Sequence, residues 1–204
     1  MIELRVSRED LDSIKTRLEK IDPRRQDGVL HRAFKQASLK VADKLEMNVS
    51  GRILNRRTGH LAQSIGAKIE KDGADWVGTV GSGYGRYQRL PYAEIHETGG
   101  VITPKHAKYL TIPLKAALTP AGVPKRGSAR DWQNTFVGKS KAGNLIIFQK
   151  TGAKGSRLIP LYVLKKSVTI PARHYMSITL KEMEKYFVMA IRGSIERSLK
   201  NESE

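Results

Sequence analysis

Few residues of this chain have the types and spacing that chemistry needs, and the spacing decides against most of those. His96-Glu97 opens like a zinc-protease helix motif. That motif requires a second histidine four residues after the first, so that both rings share one helix face. Position 100 is Gly100, so His96 reads as a helix-surface histidine. Gly81-x-Gly83-x-Gly85 has the glycine count of a dinucleotide fingerprint. Its third glycine falls one position early and no clear helix opens there, so it reads as a flexible loop between strand and helix. Gly152-Ala153-Lys154-Gly155-Ser156 is rich in glycine and lysine. It lacks the four residues that separate the first glycine of a phosphate-binding loop from its Gly-Lys pair. The chain has no cysteine, which excludes disulfides, thiolate metal sites and cysteine catalysis. No pair of acids suggests hydrolysis, and no serine sits in a nucleophile elbow. The expectation is a protein that is not an enzyme and carries no metal or cofactor. A dispersed site, such as that of a nuclease, stays open because catalytic partners can lie far apart in sequence.

What stands out instead is charge. The chain of 204 residues carries a formal +17. Residues 101–173 hold 14 Lys/Arg against one acid, Asp131. A cationic block of that kind must face solvent or an anion, because burying unpaired cations is too costly. Nucleic acid and an acidic protein surface are both fitting partners. Lys139, Lys141, Lys150, Lys154 and Arg157 flank one hairpin and its loop, where they are candidates to face DNA phosphates or a partner. The interleaved aromatics are only Trp132, Phe136 and Phe148, so base stacking is not favoured. A merely solvated basic surface is the alternative.

The elements that must position these residues follow from periodicity. Residues 7–21 read as a short helix with Ser7 as cap and Asp10 at its third position, and Leu11, Ile14, Leu18 and Ile21 at helical spacing. Asp22-Pro23 is read as a break. Residues 27–54 read as a longer helix. Its stripe is Leu30, Phe34, Ala37, Val41, Leu45, Val49 and Ile53, and Gly51 is its weak point. Residues 58–65 suggest one or two helical turns. Residues 67–70 and 76–80 alternate around Lys71-Asp72-Gly73-Ala74 as a hairpin. Residues 91–98 form a short helix between Pro91 and Gly99-Gly100. Strands are expected at 109–114, 135–138, 144–149 and 158–164, with 119–131 a mobile loop because it holds two prolines and two glycines. A final helix runs from about Tyr175 to Lys200, before a polar tail. The longest apolar runs are about five residues against the ~20 that a membrane span needs. The N-terminus shows no signal core, so a protein of the host cytosol, with no membrane partner, is expected.

Three segments together resemble one family. They are Arg57-Thr58-Gly59-x-Leu61-x-x-Ser64-Ile65 before a hairpin, Tyr92-Ala93-x-Ile95-x-Glu97-x-Gly99, and Ile170-Pro171-Ala172-Arg173-His174-Tyr175-Met176 before the last helix. In this order they are similar to the tail-component and tail-completion proteins of long-tailed bacteriophages, head–tail joining or neck proteins. The virion-morphogenesis proteins of transposable phages show a related series. The resemblance covers about 27–100 and 168–200. His174-Tyr175 stands where the family usually has Pro-Phe, and 103–168 is longer than in compact members. The residues also make physical sense unnamed. Thr58 is placed to cap a helix, and Gly59 allows close approach. Leu61 and Ile65 lie four apart, and Tyr92 and Ile95 three apart, at helical spacing. Pro171 ends a strand and leads through Arg173 into the last helix.

The expected fold is α+β. A small antiparallel sheet packs against the long helix and the C-terminal helix in a single domain, with 103–168 as a β-rich basic insertion. The resemblance implies a structural virion protein at the head–tail junction, assembled in the host bacterial cytoplasm. It implies a homo-oligomeric, hexameric ring seated between connector or head-completion proteins and tail-terminator or tail-tube proteins, with DNA passing non-specifically. A tail-terminator ring and a non-specific DNA-binding accessory protein are the alternatives.

Overall fold

A computed structural model describes residues 2–3, 8–73 and 75–200. The expected cap at Ser7, the turn residue Ala74 and the tail 201–204 lie outside the described residues. The chain is of the α+β class and divides into two units, Met1–Thr98 with Ala172–Glu204, and Gly99–Pro171. The second unit brackets the segment 103–168 that the sequence marks as an insertion.

In the first unit, β1 (Ile2–Glu3) precedes α1 (Arg8–Leu18) and α2 (Pro23–Met47). Asp22-Pro23 is not a break but the start of α2, four residues ahead of the expected position. Proline at the first helical position has no N–H to waste, and the Asp22 carboxylate accepts from the Arg24 N–H at 2.9 Å. The stripe that buries is Val29, Ala33, Ala37, Val41 and Leu45, one residue every four. Its small members let the sheet approach closely. A Cβ on Gly78 would lie 2.4 Å from the Ser38 hydroxyl oxygen. The helix ends at Met47 rather than at 54, passing into a π turn at Asn48–Arg52 where Gly51 has φ 140°. Asn48, still helical in its backbone, is fully buried and donates to the Thr179 hydroxyl at 2.7 Å, and the departure from helical angles comes at Ser50 and Gly51.

α3 (His60–Ser64) leads into β2 (Ile65–Asp72), which pairs antiparallel with β3 (Asp75–Ser82). Each strand is longer than the alternation indicated, and the sheet order is β1-β3-β2. α4 (Tyr92–Thr98) follows, and α5 (Tyr175–Lys200) returns after the second unit. α5 packs on α2 through Phe187, Ile191 and Ile195, all at most 1% exposed, and Phe34 meets Phe187 edge-on at 5.7 Å. Burying side chains of this size contributes about 1.5–3 kcal/mol each.

The second unit pairs β4 (Gly100–Ile102) with β9 (Val168–Ile170). Its main sheet holds β5 (Leu110–Pro113), β6 (Thr135–Lys139), β7 (Leu145–Thr151) and β8 (Arg157–Lys165) in the order β5-β8-β7-β6, all antiparallel. A small core of Ala117, Leu161 and Tyr162 lies under Trp132, whose indole N–H donates to the Tyr162 hydroxyl at 3.1 Å. The segment 119–131 is tied rather than free. Leu118 bridges Pro124, Thr119 N–H donates to Val123 O, and Ser128 with Asp131 forms a capping box.

Candidate functional site

The three family-like segments lie far apart in sequence, and most of their residues meet in the first unit. In the first segment, Gly59 itself occupies the cap of α3, with φ 80°. Thr58, expected as the cap, sits one residue earlier and accepts only a long bond from His60 N–H at 3.4 Å. Only glycine takes that left-handed backbone without strain, so the capping position fell to Gly59. Leu61 and Ile65 both reach the main core, but Ile65 does so as the first, extended residue of β2 and not from a helical turn. Ser64 is buried and donates its hydroxyl proton to Leu61 O at 2.7 Å. In its 2.8 Å contact with Ser82 it therefore accepts. The Ser64 carbonyl accepts from the N–H groups of Gly83 and Gly85. The run Gly81–Gly85, which spans the last residues of β3 and the turn after it, is thus tied by hydrogen bonds and is not the flexible loop its glycines suggest. Gly66 has no room for a side chain there, since a Cβ would lie 2.1 Å from Tyr84 O.

The second and third segments lock onto each other. Glu97, on α4, points its carboxylate at the start of α5. It accepts from Met176 N–H at 2.7 Å, from Ser177 N–H at 3.1 Å, and from the Ser177 hydroxyl. These are orphan donors of a helix N-terminus, where a carboxylate is favoured. The Tyr175 hydroxyl, fully buried, donates to Ala93 O at 3.1 Å, and burial raises its pKa. Arg173 N–H donates to His96 O, and His174, with φ 50°, donates to Glu97 O. Of α4, Ala93 is the residue that buries, whereas Tyr92 is 40% exposed and Ile95 half-buried. The His96 imidazole is held below its usual pKa by burial, with Arg173 and Arg57 adding repulsion. The Arg173 side chain is exposed, and Pro171 follows β9 as the last residue of the second unit. Beside this joint lies a cleft of about 410 Å³ bordered by Ser82, Arg89, Glu94, Glu97 and Leu180.

The role of Glu97 is invisible to a sequence reading of caps. The capping box is a local pattern whose two ends lie three residues apart, while Glu97 acts on a helix 79 and 80 residues further along. Its place in the second family-like segment is the one signal that marks it.

The five basic candidates do not gather at one place. Lys139 and Lys141 lie where β6 turns into β7, and Lys150, Lys154 and Arg157 where β7 turns into β8. The two ends are separated by the length of β7, about 20 Å at ~3.4 Å per residue. Strand alternation further places Lys150 on the face of Phe136 and Lys139 and Arg157 on the opposite one. The structure does bring Lys150 and Lys154 together. They line a cleft of about 460 Å³ with Asn134, Thr135, Phe136, Gly152 and Gly155. The Lys150 ammonium stands 5.1 Å from the Phe136 ring centroid, and the same ring stacks on Phe148 at 5.7 Å.

Among the described residues there is no cluster of three or more His, Asp or Glu placed to hold a metal ion, and no helix is long and apolar enough to cross a membrane. No family model, curated protein or solved structure matches the chain.

Proposed function

We propose that this protein is a structural component of a bacteriophage particle that acts by assembly rather than catalysis. Its place is the head–tail junction, as a ring of identical subunits, six by the family resemblance, between the connector or head-completion proteins and the tail-terminator or tail-tube proteins. The observation that supports this reading is the convergence of the family-like segments. Residues 93–97 and 173–177 interlock through backbone and side-chain hydrogen bonds at the start of α5, and Leu61, Ala62 and Ile65 of the first segment share one core with Tyr175 and Met176 of the third. Their polar groups, the Ser177 hydroxyl and the Glu97 carboxylate included, are taken up in bonds that hold the fold. In an assembly protein such residues fix the shape that neighbours dock against, so motif and function coincide in the scaffold. Heterologous contacts repeated around an axis then close a ring.

Electron microscopy of lysates from a phage lacking this gene tests the proposal. Filled heads beside finished, unattached tails are expected. Tails of uncontrolled length would replace joining with termination of the tail tube. Normal, infectious particles would overturn the structural role altogether.

A further inference from the structure

We infer that the second unit binds the phosphate backbone of duplex nucleic acid, seating one phosphate in the cleft between Lys150 and Lys154 beside Phe136. The inference names a partner for the basic unit in the reading above, and rests on that reading only for where the partner is met. Gly99–Pro171 carries 13 Lys/Arg and one acid, Asp131. The Asp131 carboxylate is engaged by the Ser128 N–H at 2.8 Å, and among the described residues no carboxylate forms an ion pair within this unit. Its cations are therefore left to an outside anion.

Charge density selects the class of anion. Duplex DNA carries one charge per ~1.7 Å of axis, so about 20 Å of duplex neutralises the net +12 of this unit. That is about the length of β7. A folded protein surface intersperses both signs and offers no such density. The aromatic residues argue for a duplex over a single strand, whose binders use open ring faces as stacking platforms. Phe136 has Lys150 near its ring and stacks on Phe148, while Trp132 is bonded to Tyr162 and lies under the Arg126 guanidinium at 5.8 Å. A ring takes none of the N–H bonds of the ammonium it attracts, so Lys150 keeps its donors for a phosphate. At about 30 Å³ per water the cleft has room for a phosphate with its hydration.

Fluorescence anisotropy of the full-length protein tests this, with a mixed-sequence duplex, a single strand of equal length, and polyglutamate as competitor, between 50 and 200 mM salt in order of magnitude. Expected is duplex binding that weakens steeply with salt. Replacing Lys150→Gln and Lys154→Gln together should weaken it about tenfold and lower the log–log salt slope by about 0.9 for each phosphate no longer neutralised. Lys181→Gln with Lys185→Gln, on α5, removes the same charge and should change affinity far less. Circular dichroism and melting establish that both variants fold. Equal losses in the two double variants would overturn the cleft, leaving only a diffuse field. Tighter binding of the single strand, or competition by polyglutamate matching DNA charge for charge, would overturn the duplex assignment. No duplex binding by the wild-type protein at low salt would overturn the inference whole. None of these results depends on the phenotype of the gene deletion, so the two readings fail separately.

Discussion

Glu97 illustrates how one side chain can join segments that sequence keeps apart. Its carboxylate satisfies two N–H groups and a hydroxyl at the start of α5. Glu97→Ala should therefore cost about 1–2 kcal/mol, the usual loss on removing a cap, measured by urea unfolding. Glu97→Gln, which keeps an acceptor and loses the charge, should recover part of it. Glu182 carries a pH signature. The hydrogen bond from Arg52, aided by Lys44, holds its carboxyl at about 2 against an ordinary 4.5. A depressed carboxylate contributes stability that is complete above its unfolded value and is lost as pH falls through the folded one. The stability difference between wild type and Glu182→Gln should thus be constant above about pH 5 and shrink towards zero near pH 2. Equilibrium unfolding of both proteins across that range checks it, and a difference that persists unchanged at pH 2 would remove the Arg52–Glu182 pair as its source. Sequence spacing could not have shown either residue's role. Both act across more than seventy positions, whereas Leu61 and Ile65 were legible as apolar core residues, although Ile65 opens β2 instead of closing a helical turn.

Elements were legible where burial repeats with a period and were missed where a single contact sets the boundary. The apolar stripe predicted α2, since it faces one continuous core. The ends of α2 moved because Asp22-Pro23 starts a helix as readily as it breaks one, and because the backbone leaves helical angles at Ser50 and Gly51. Short strands such as β4 and β9 have three residues each, too few for alternation to register. The glycines divide in the same way. Gly73 stands at a hairpin turn with nothing near its missing Cβ, while Gly66 looks like any strand residue until Tyr84 O is found 2.1 Å from where its Cβ would be. Gly66→Ala must push the 83–87 segment off the Ser64 carbonyl, at a cost of roughly 1–3 kcal/mol. Gly73→Ala should cost only about 1 kcal/mol of backbone strain. Thermal melting of the two variants gives the order, and a milder effect at Gly66 would mean that the β3 end is looser than its hydrogen bonds indicate.

At the scale of the whole molecule the governing feature is the separation of charge between the units. The first carries 24 Lys/Arg and 19 Asp/Glu, close to balance, and the second 13 and one. Copies brought together must therefore keep their second units apart or place an anion between them. At an ionic strength of 0.01 M the Debye length is about 30 Å, longer than β7, so each second unit repels its neighbours as a single block. At 1 M it is about 3 Å, and that repulsion is gone while apolar contacts persist. Self-association in the absence of nucleic acid should consequently rise with salt, the opposite of the DNA binding inferred for the same unit. Sedimentation velocity across a salt series reads the first effect, and a short duplex added at low salt should promote association as salt does, by neutralising the second units. Association that weakens as salt is raised would mean that the copies are held by ion pairs, and that the balanced first unit rather than the cationic second one sets how they meet.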